Sequence, residues 1–526
     1  MLTVVMFSCS KEEDIVLDEP VPDGQVMLFD EEGYNPYLPE NMELAFDSLK
    51  SKLYQSFPGA RTTTETVALD FTPNKRYVRF LPADSVQLDT LMAFGDLALF
   101  DYPLDKPVVQ QGAYTPEPAN EAGYHWLYGV VPIDFEFPPV DHEVISDVFL
   151  PEYPDLTYDE NLSGRTAYDS TEIYGMLMGV ELYSMYLAGH LGDEEADELL
   201  ALLEGEAPGG GSANNSPWSR FKDGLKSVRN TLGSIFIAPA YAKKANPLKW
   251  CWGCIVNSSW RPRGTVRVRD GNINQQLRGL KVVIHRGLKS VTAYTDNSGN
   301  FSSWSNFGSQ VTYTVHWRNR SSKTFGTRYF RIVDRWYMTT AKHDIRRNTR
   351  SSVYHTYSLS GGRPTYEDAA LAMIYLAAQH NYHRDILGLT RPRKNLRIRR
   401  RKEAGHTGQE RSFNNHLLGS QIHIWITDNQ GQYKTGRQLV ATTFHELAHY
   451  THFHEVKDWP FPANQWEWIR IDCGLKESWA TCVEHYLTRA TYYPDYTEGY
   501  HTREWTDITS EYTGIFIDII DNDNQK

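Results

Sequence analysis

Apolar residues recur at the spacing of an amphipathic helix in several parts of the chain, most regularly in its last third. The pattern predicts these helices: one near Leu44 to Phe57, two between about Ser170 and Leu203, and others at Glu367 to Gln379, Gly436 to Tyr450 and Leu475 to Leu487. The region after residue 345 is therefore expected to be mainly helical.

Short segments that alternate apolar and polar residues predict strands elsewhere. Val67 to Phe71 and Tyr77 to Leu81 alternate in this way in the first half of the chain. Between about Ile255 and Trp336 such segments follow one another, separated by turns, which predicts a small β-sandwich. Gln421 to Ile426 alternates as well and predicts one strand directly before the helix at Gly436.

Within the predicted sandwich, three segments carry a resemblance to a known family. Gly264 to Val266, Leu280 to Val283 and the turn Thr295 to Phe301 together resemble the carboxypeptidase regulatory-like domain, which has an immunoglobulin-like fold. In that family the domain is usually an accessory or docking module, so the resemblance implies no catalytic role for this part of the chain.

The charge is distributed very unevenly along the 526 residues. Residues 1–206 hold 40 acidic against 9 basic side chains, a net charge of -31, whereas residues 207–526 hold 26 against 44, a net charge of +18. Opposite net charges of this size could draw the two halves together electrostatically, or the basic half could attract an acidic partner. Nucleic acid is not expected as that partner, because no helix-turn-helix, zinc finger or aromatic sheet motif accompanies the basic residues. The basic run Arg391 to Lys402 is interpreted as a solvated or partner-facing surface.

The N-terminus reads MLTVVMFSCSKEED, a short apolar run that ends in small residues and a cysteine and is followed by charge. It resembles the signal of lipoproteins, and the acidic residues after it resemble the export tag of Bacteroidetes surface lipoproteins. The resemblance implies an exported, cell-surface or outer-membrane lipoprotein anchored only through lipid on Cys9. Of the remaining cysteines, short spacing favours Cys251 with Cys254 and Cys473 with Cys482, although three pairings are open.

The helix at Gly436 to Tyr450 carries a His-Glu-x-x-His motif. His445 and His449 are four residues apart, so they lie on one face of the helix and can present two imidazole nitrogens to one metal ion. Glu446 is rotated by about 100° from His445, which places a carboxylate where it can act as a general base on water. The motif predicts metal-assisted hydrolysis.

A third metal ligand is required, and the sequence offers His452, His454, Glu455 and a more distant carboxylate. The metzincin pattern does not fit, since it requires glycine at position 452 and histidine at 455.

The next helix contains Lys476-Glu477-Ser478-Trp479-Ala480, with Glu484 seven residues after Glu477. This arrangement is similar to the second motif of gluzincins, although lysine stands where those proteins commonly have asparagine. The resemblance implies a zinc site formed by His445, His449 and Glu477, with Glu484 orienting a ligand histidine and Glu446 as catalytic base.

The resulting prediction is a zinc-dependent peptidase, an endopeptidase because the strand motif of the aminopeptidase branch is missing. Its partner would be a protein or peptide substrate, bound by addition to the strand Gln421 to Ile426. Candidates for stabilising the oxyanion are Tyr486, Tyr492, Tyr493, Tyr496, Tyr500 and His501. The alternative is a surface-anchored binding protein that uses the β-sandwich and the acidic module, with a catalytically idle scaffold.

These observations predict a multidomain α+β protein with an N-terminal α+β region, an immunoglobulin-like β-sandwich and a C-terminal, mainly helical zincin-like catalytic domain. The expected segments are a signal and tether at 1–39, an acidic α+β module at 40–204, a flexible linker at 205–217, a connector at 218–254, the β-sandwich at 255–345 and the metallopeptidase domain at 346–526. The acidic module is interpreted either as a propeptide or lid, or as a binding or spacer module.

Overall fold

The computed structural model describes residues 26–30, 33–56, 69–110, 114–152, 177–191, 260–271, 273–319, 329–333, 340–359, 363–383, 396–401, 421–428, 430–456 and 466–492. The helices in these ranges are α1 (Pro39–Ser56), α2 (Ser85–Ala93), α3 (177–187), α4 (Arg363–His383), α5 (Gly436–Val456) and α6 (Trp466–Tyr492). The predicted helices near Leu44, Glu367, Gly436 and Leu475 correspond to α1, α4, α5 and α6.

The first strands are β1 (Leu28–Phe29), β2 (Lys75–Leu81), β3 (Val108–Gln110), β4 (Leu127–Pro132) and β5 (Asp141–Val148). They are followed by β6 (Arg263–Asp270), β7 (Ile273–Gln276), β8 (Leu280–Arg286), β9 (Lys289–Tyr294), β10 (Asn300–Ser302) and β11 (Val311–Asn319). The last are β12 (Phe330–Val333), β13 (Lys342–Thr349), β14 (Val353–Ser358), β15 (Leu396–Arg401) and β16 (Gln421–Trp425). Together with the helices they make a mixed α+β fold.

The acidic module is built on a three-stranded antiparallel sheet in the order β4-β2-β5. Helices α1 and α3 pack together beside it through Met42, Phe46 and Tyr183, which are buried in one apolar cluster. The predicted strand at Tyr77 to Leu81 is part of β2, whereas the described residues of Val67 to Phe71 are not in a strand.

Two further sheets follow in the basic half of the chain. One has the order β10-β6-β14, with β7 also paired to β6. The other has seven strands in the order β16-β15-β12-β11-β8-β9, with β13 also paired to β11. Strand β15 runs parallel to both of its neighbours, and the pairs of β11 with β8, β12 and β13 are antiparallel.

The expected separation of an immunoglobulin-like β-sandwich from a mainly helical, zincin-like C-terminal domain is wrong. Strands β15 and β16, which lie inside the supposed helical domain, extend the sheet that contains β8, β9 and β11. A single apolar core runs from Val266 on β6 to Tyr492 at the end of α6 and includes residues of α4 and α5. The helices and the sheets therefore bury their apolar faces against one another instead of forming two domains.

The two faces of the seven-stranded sheet carry different partners. On β8, Val282 and Ile284 belong to the large core shared with the helices, whereas Val283 between them packs with Tyr77 and Phe100 of the acidic module. Successive residues of a strand point to opposite faces. The acidic module thus covers the face of the sheet opposite to the one that packs against helices α4 to α6.

Ion pairs cross this contact between the acidic and basic halves. Lys289 Nζ lies 3.0 Å from Glu181 Oε2, and both side chains are less than 10% exposed. Asp89 contacts Arg331 and Arg397, which are 0% and 1% exposed. The oppositely charged halves of the chain therefore form ion pairs with each other. Part of the basic run that was expected at the surface is buried in this contact.

Among the helices that the structure describes, none combines the length and the apolar composition that crossing a membrane would require.

Candidate metal centre

The chain enters helix α5 through a tight turn and a capping box. After β16, Asp428 Oδ1 accepts hydrogen bonds from the backbone N–H groups of Gln430 and Gln432, and Gly431 adopts a φ of 76° that glycine tolerates without strain. Thr435 Oγ1 then accepts from the Gln438 backbone N–H at 3.2 Å, while Gln438 Oε1 accepts from the Thr435 N–H at 2.8 Å. These reciprocal bonds satisfy N–H groups at the helix start and set the register of α5 relative to β16.

One face of α5 is buried, which holds the His-Glu-x-x-His segment against the core. The fully buried side chains on it include Leu439, Val440, Phe444, Leu447, Ala448 and Tyr450, each 3% exposed or less. His445, Glu446 and His449 are half-buried beside this face. Their position follows from helical periodicity, because the apolar residues and the motif share the same helix.

The two imidazole rings of the motif are in contact with each other. His445 Nε2 and His449 Nε2 are 3.0 Å apart, and the rings are inclined at 80° with centroids 4.7 Å apart. Both nitrogens are thus directed at one small region next to the helix.

Glu484 on α6 contacts the other ring nitrogen of His445. Its Oε2 lies 3.0 Å from His445 Nδ1, and both side chains are about 20% exposed or less. Helix α6 is held in place by Ala480, Val483 and Leu487, which are buried in the core shared with α5. Packing of the two helices therefore brings a carboxylate to a histidine 39 residues away.

This contact selects the tautomer of His445. An ionised carboxylate only accepts hydrogen bonds, so the neutral His445 ring carries its proton on Nδ1 and has a lone pair on Nε2. That lone pair points at His449 Nε2. Two convergent imidazole nitrogens, one of them with a carboxylate behind it, are two of the three protein ligands that catalytic zinc sites use, and these residues fit that ion.

The connection between helices α5 and α6 is too short for the two helices to run parallel. At 1.5 Å per residue, His445 lies about 16 Å from the end of α5 and Glu484 about 27 Å from the start of α6. Parallel helices would then need a connection of about 43 Å, whereas residues 457–465 can span only about 34 Å.

The expected third ligand, Glu477, belongs to helix α6. Glu477 lies on the same face of α6 as Glu484, about 10 Å nearer the start of the helix. The side chain of Glu477 lies outside the described residues.

The other candidates for a third ligand lie on α5. The helix continues to Val456, so the backbone of His452, His454 and Glu455 is helical, and position 452 shares a face with His445 and His449. Their side chains lie outside the described residues. Among the side chains that are described, no group of three or more metal-ligating residues is found.

Lys434 is a charged neighbour of the site that sequence reasoning missed. Burial lowers its pKa, while the carboxylates of Glu446, Glu484 and Asp428 act in the opposite direction. Its ammonium group is thus within electrostatic reach of the expected base and of the carboxylate behind His445. No local pattern indicates this, because Lys434 belongs to the connection before the helix cap.

Among the oxyanion candidates, Tyr492 is engaged elsewhere: its hydroxyl donates to Asp270 Oδ2 at 2.8 Å, at the end of β6. Tyr486 is half-buried on α6 beside His485. The remaining candidates, Tyr493, Tyr496, Tyr500 and His501, lie outside the described residues, as does Cys9.

Helix α6 excludes the favoured Cys473–Cys482 disulfide. Both residues lie on this continuous helix, nine positions apart, so their Cα atoms are about 13 Å from each other. A disulfide requires a separation below about 7 Å. Cys482 is buried in the helix pair, and Cys251 and Cys254 lie outside the described residues.

No family model, no curated protein and no solved structure matches this chain.

Proposed function

We propose that this protein is a zinc-dependent peptidase that cleaves within polypeptide chains. The observation that carries the proposal is the convergence of His445 Nε2 and His449 Nε2 at 3.0 Å with Glu484 on the opposite nitrogen of His445. Zinc would be held by these two histidines and by Glu477. When bound, it supplies a Lewis acid that polarises the carbonyl of the peptide bond.

The remaining chemistry belongs to side chains of the chain itself. Glu446 takes a proton from the attacking water as the water oxygen forms its bond to the carbonyl carbon, and returns that proton to the amine nitrogen as the C–N bond breaks. Lys434 interacts electrostatically with Glu446. Glu484 holds the His445 ring in the orientation and tautomer that leave Nε2 available.

The substrate is proposed to bind in extended conformation along β16. In the strand order of the described residues, β16 is the last strand of the seven-stranded sheet, and it leads directly into the turn and helix that carry the site. An extended peptide added there would form main-chain hydrogen bonds irrespective of its sequence. Binding through the backbone is consistent with an endopeptidase.

The test is hydrolysis of casein and of a quenched peptide library by the purified chain, with and without a chelator. Glu446→Gln should lower kcat by at least about 100-fold, the size expected for loss of a general base, and should leave bound zinc unchanged. Glu121→Gln, which alters an exposed glutamate of the acidic module, serves as the matched control. Hydrolysis that is indifferent to both the chelator and Glu446→Gln would refute the proposal and favour a binding protein.

Export and lipid anchoring through Cys9 are part of the same proposal, supported by the pattern of residues 1–14. Metabolic labelling with a fatty acid should mark the full chain, and Cys9→Ser should abolish both the label and membrane association. Labelling that survives Cys9→Ser would exclude this anchor.

A further inference from the structure

Three basic side chains and a histidine lie side by side on the face of the seven-stranded sheet that is covered by the acidic module. His316 on β11 is in register with Lys281 on β8 and with Lys342 on β13. Arg318 follows two residues later on β11 and so points to the same face. Like charges on neighbouring strands repel each other, so this row requires compensation.

The acidic module compensates two members of the row. Lys281 Nζ donates to the backbone carbonyls of Gly95 and Leu97 at 2.9 and 2.8 Å. Lys342 Nζ lies 3.3 Å from Asp101 Oδ1. The carboxylate of Asp96 also acts on Lys281 and Arg318 through its charge.

The other two members keep buried nitrogen atoms without a hydrogen-bond partner among the described residues. Arg318 donates through Nη1 to the Met92 carbonyl and stacks on the Tyr329 ring, but its Nε and Nη2 have no hydrogen-bond partner, nor does His316 Nε2, within the part of the chain that the structure describes. His316 and Arg318 are only 4% and 3% exposed. Burial lowers the pKa of both side chains, and the charge of Lys281 lowers that of His316 further. Buried donors of this kind are costly unless something accepts their hydrogens.

These four side chains line a cavity of about 20 Å³ between the sheet and the acidic module. Its remaining walls are formed mainly by apolar residues, among them Leu91, Phe94, Leu97, Leu99 and Leu127. A space of this size holds one water molecule or one monatomic ion, and it is too small for a tetrahedral oxyanion.

We propose that this cavity binds a single halide ion, chloride under physiological conditions, held by Lys281, His316 and Arg318. A halide accepts hydrogen bonds and donates none, which suits a cavity whose charged side chains are all donors. A water molecule could also accept hydrogen bonds from these side chains, but it carries no negative charge to offset the positive charges of Arg318 and Lys342. The negative charge also relieves the repulsion along the row.

The bound ion joins the acidic module to the sheet. Lys281 and Arg318 reach backbone carbonyls of the module and the ion at the same time, so the ion stabilises the packed arrangement of both parts. This role is independent of the proposed peptidase activity, because the cavity lies on the sheet face opposite to helices α4 to α6.

Thermal unfolding of the full chain, measured at constant ionic strength, tests the proposal. Replacing acetate by chloride or bromide should raise Tm by about 2 °C for each tenfold increase in halide above its dissociation constant. Crystals of the full chain grown in bromide should show an anomalous peak within hydrogen-bonding distance of Arg318 and His316. Equal Tm values in acetate and chloride, or a cavity that contains water in bromide-grown crystals, would overturn it.

Two variants distinguish a bound ion from a general salt effect. Arg318→Met removes two of the orphan donors while keeping an unbranched apolar stem, and it should abolish the difference between chloride and acetate. Lys75→Met, which removes a cation from the ion pair with Glu152 at the surface of the acidic module, should retain that difference. If Arg318→Met does not fold, the presence or absence of the anomalous peak in the unmodified protein decides whether the cavity binds a halide. A halide effect that persists in Arg318→Met would contradict the proposal.

Discussion

His445 Nδ1 lies 3.0 Å from Glu484 Oε2, and the two residues belong to different helices of one buried pair. The carboxylate fixes the proton on Nδ1 and turns Nε2 toward His449. Glu484 thereby orients Nε2, the nitrogen proposed to bind zinc, without touching it.

Glu484→Gln should weaken zinc binding by about 10- to 100-fold, the usual consequence of losing a carboxylate behind a ligand histidine. The amide keeps the size of the side chain but removes its charge, so the basicity of His445 falls. Competition with a chromogenic chelator measures the dissociation constant. The control is Glu143→Gln, which removes a carboxylate paired with Arg79 on the module sheet and should leave zinc affinity unchanged. Equal affinities for Glu484→Gln and the unmodified protein would show that the contact does not orient the site.

Glu477→Gln should reduce zinc affinity by more than Glu484→Gln, because it would remove one of three ligands. His452→Gln is the matched comparison: position 452 shares a face of α5 with the two histidines, but it is not the ligand implied by the gluzincin resemblance. Zinc content after dialysis, measured by mass spectrometry, separates the two variants. Retention of zinc by Glu477→Gln together with its loss from His452→Gln would move the third ligand from α6 to α5.

Features set by neighbouring residues were predictable from the sequence. Helical periodicity alone puts His445 and His449 on one face of α5, and the strand before it follows from the alternation in Gln421 to Ile426. The contact between His445 and Glu484 depends on how two helices pack, so only the family resemblance suggested it. No sequence pattern predicted that Lys434 lies near Glu446, because this proximity arises from the turn after β16.

The architecture was harder to predict because it depends on pairing between distant segments. Strand β15 contains Arg397, Arg399, Arg400 and Arg401, and a run of this kind is typical of a solvated surface. Arg397 is nevertheless buried, because Asp89 from the acidic module meets it across the interface. Likewise, Lys281 and His316 occupy the positions of a strand that ordinarily face water, and the module that covers them lies far away in the sequence.

Replacement of Glu181 should destabilise the docking of the acidic module. Its carboxylate lies 3.0 Å from the Lys289 ammonium and accepts a hydrogen bond from the Tyr37 hydroxyl, and all three groups are buried. Glu181→Gln leaves a buried ammonium without its countercharge, which costs about 3–5 kcal/mol in the free energy of unfolding. Urea denaturation measures the loss. The double variant Glu181→Gln, Lys289→Met should recover a large part of it, and strictly additive losses would show that the pair is not coupled.

Cleavage between residues 205 and 217 should not release the acidic module. The module covers one face of the seven-stranded sheet, where Asp89 and Glu181 form buried ion pairs with the basic half. A specific protease site inserted in this segment allows a single cut, followed by gel filtration at physiological salt. We expect both fragments to elute together, with unchanged peptidase activity. Separation of the fragments accompanied by higher activity would instead identify the module as a propeptide.

Acidification should destabilise the protein in part through His285. This side chain lies at the interface with the acidic module, where its ring packs on Phe100 and its Nε2 meets Thr314 Oγ1 at 3.0 Å. Burial lowers its pKa from 6.5 to about 4, an effect that Asp344 opposes and Lys342 reinforces.

Between pH 6.5 and 4 the unfolded chain therefore binds a proton at His285 that the folded chain does not. The stabilisation from a neutral His285 is fully present above pH 6.5 and is lost as the pH falls toward 4, at about 1.4 kcal/mol per pH unit. His285→Gln retains a polar group near Thr314 but does not titrate, so its unfolding free energy should depend less steeply on pH by about one proton. Urea titrations at several pH values between 4 and 7 give the slope of unfolding free energy against pH for each protein. The slopes are compared, and not the absolute values, because the smaller glutamine also lowers stability at neutral pH. Identical slopes for the two proteins would mean that His285 is protonated in the folded state.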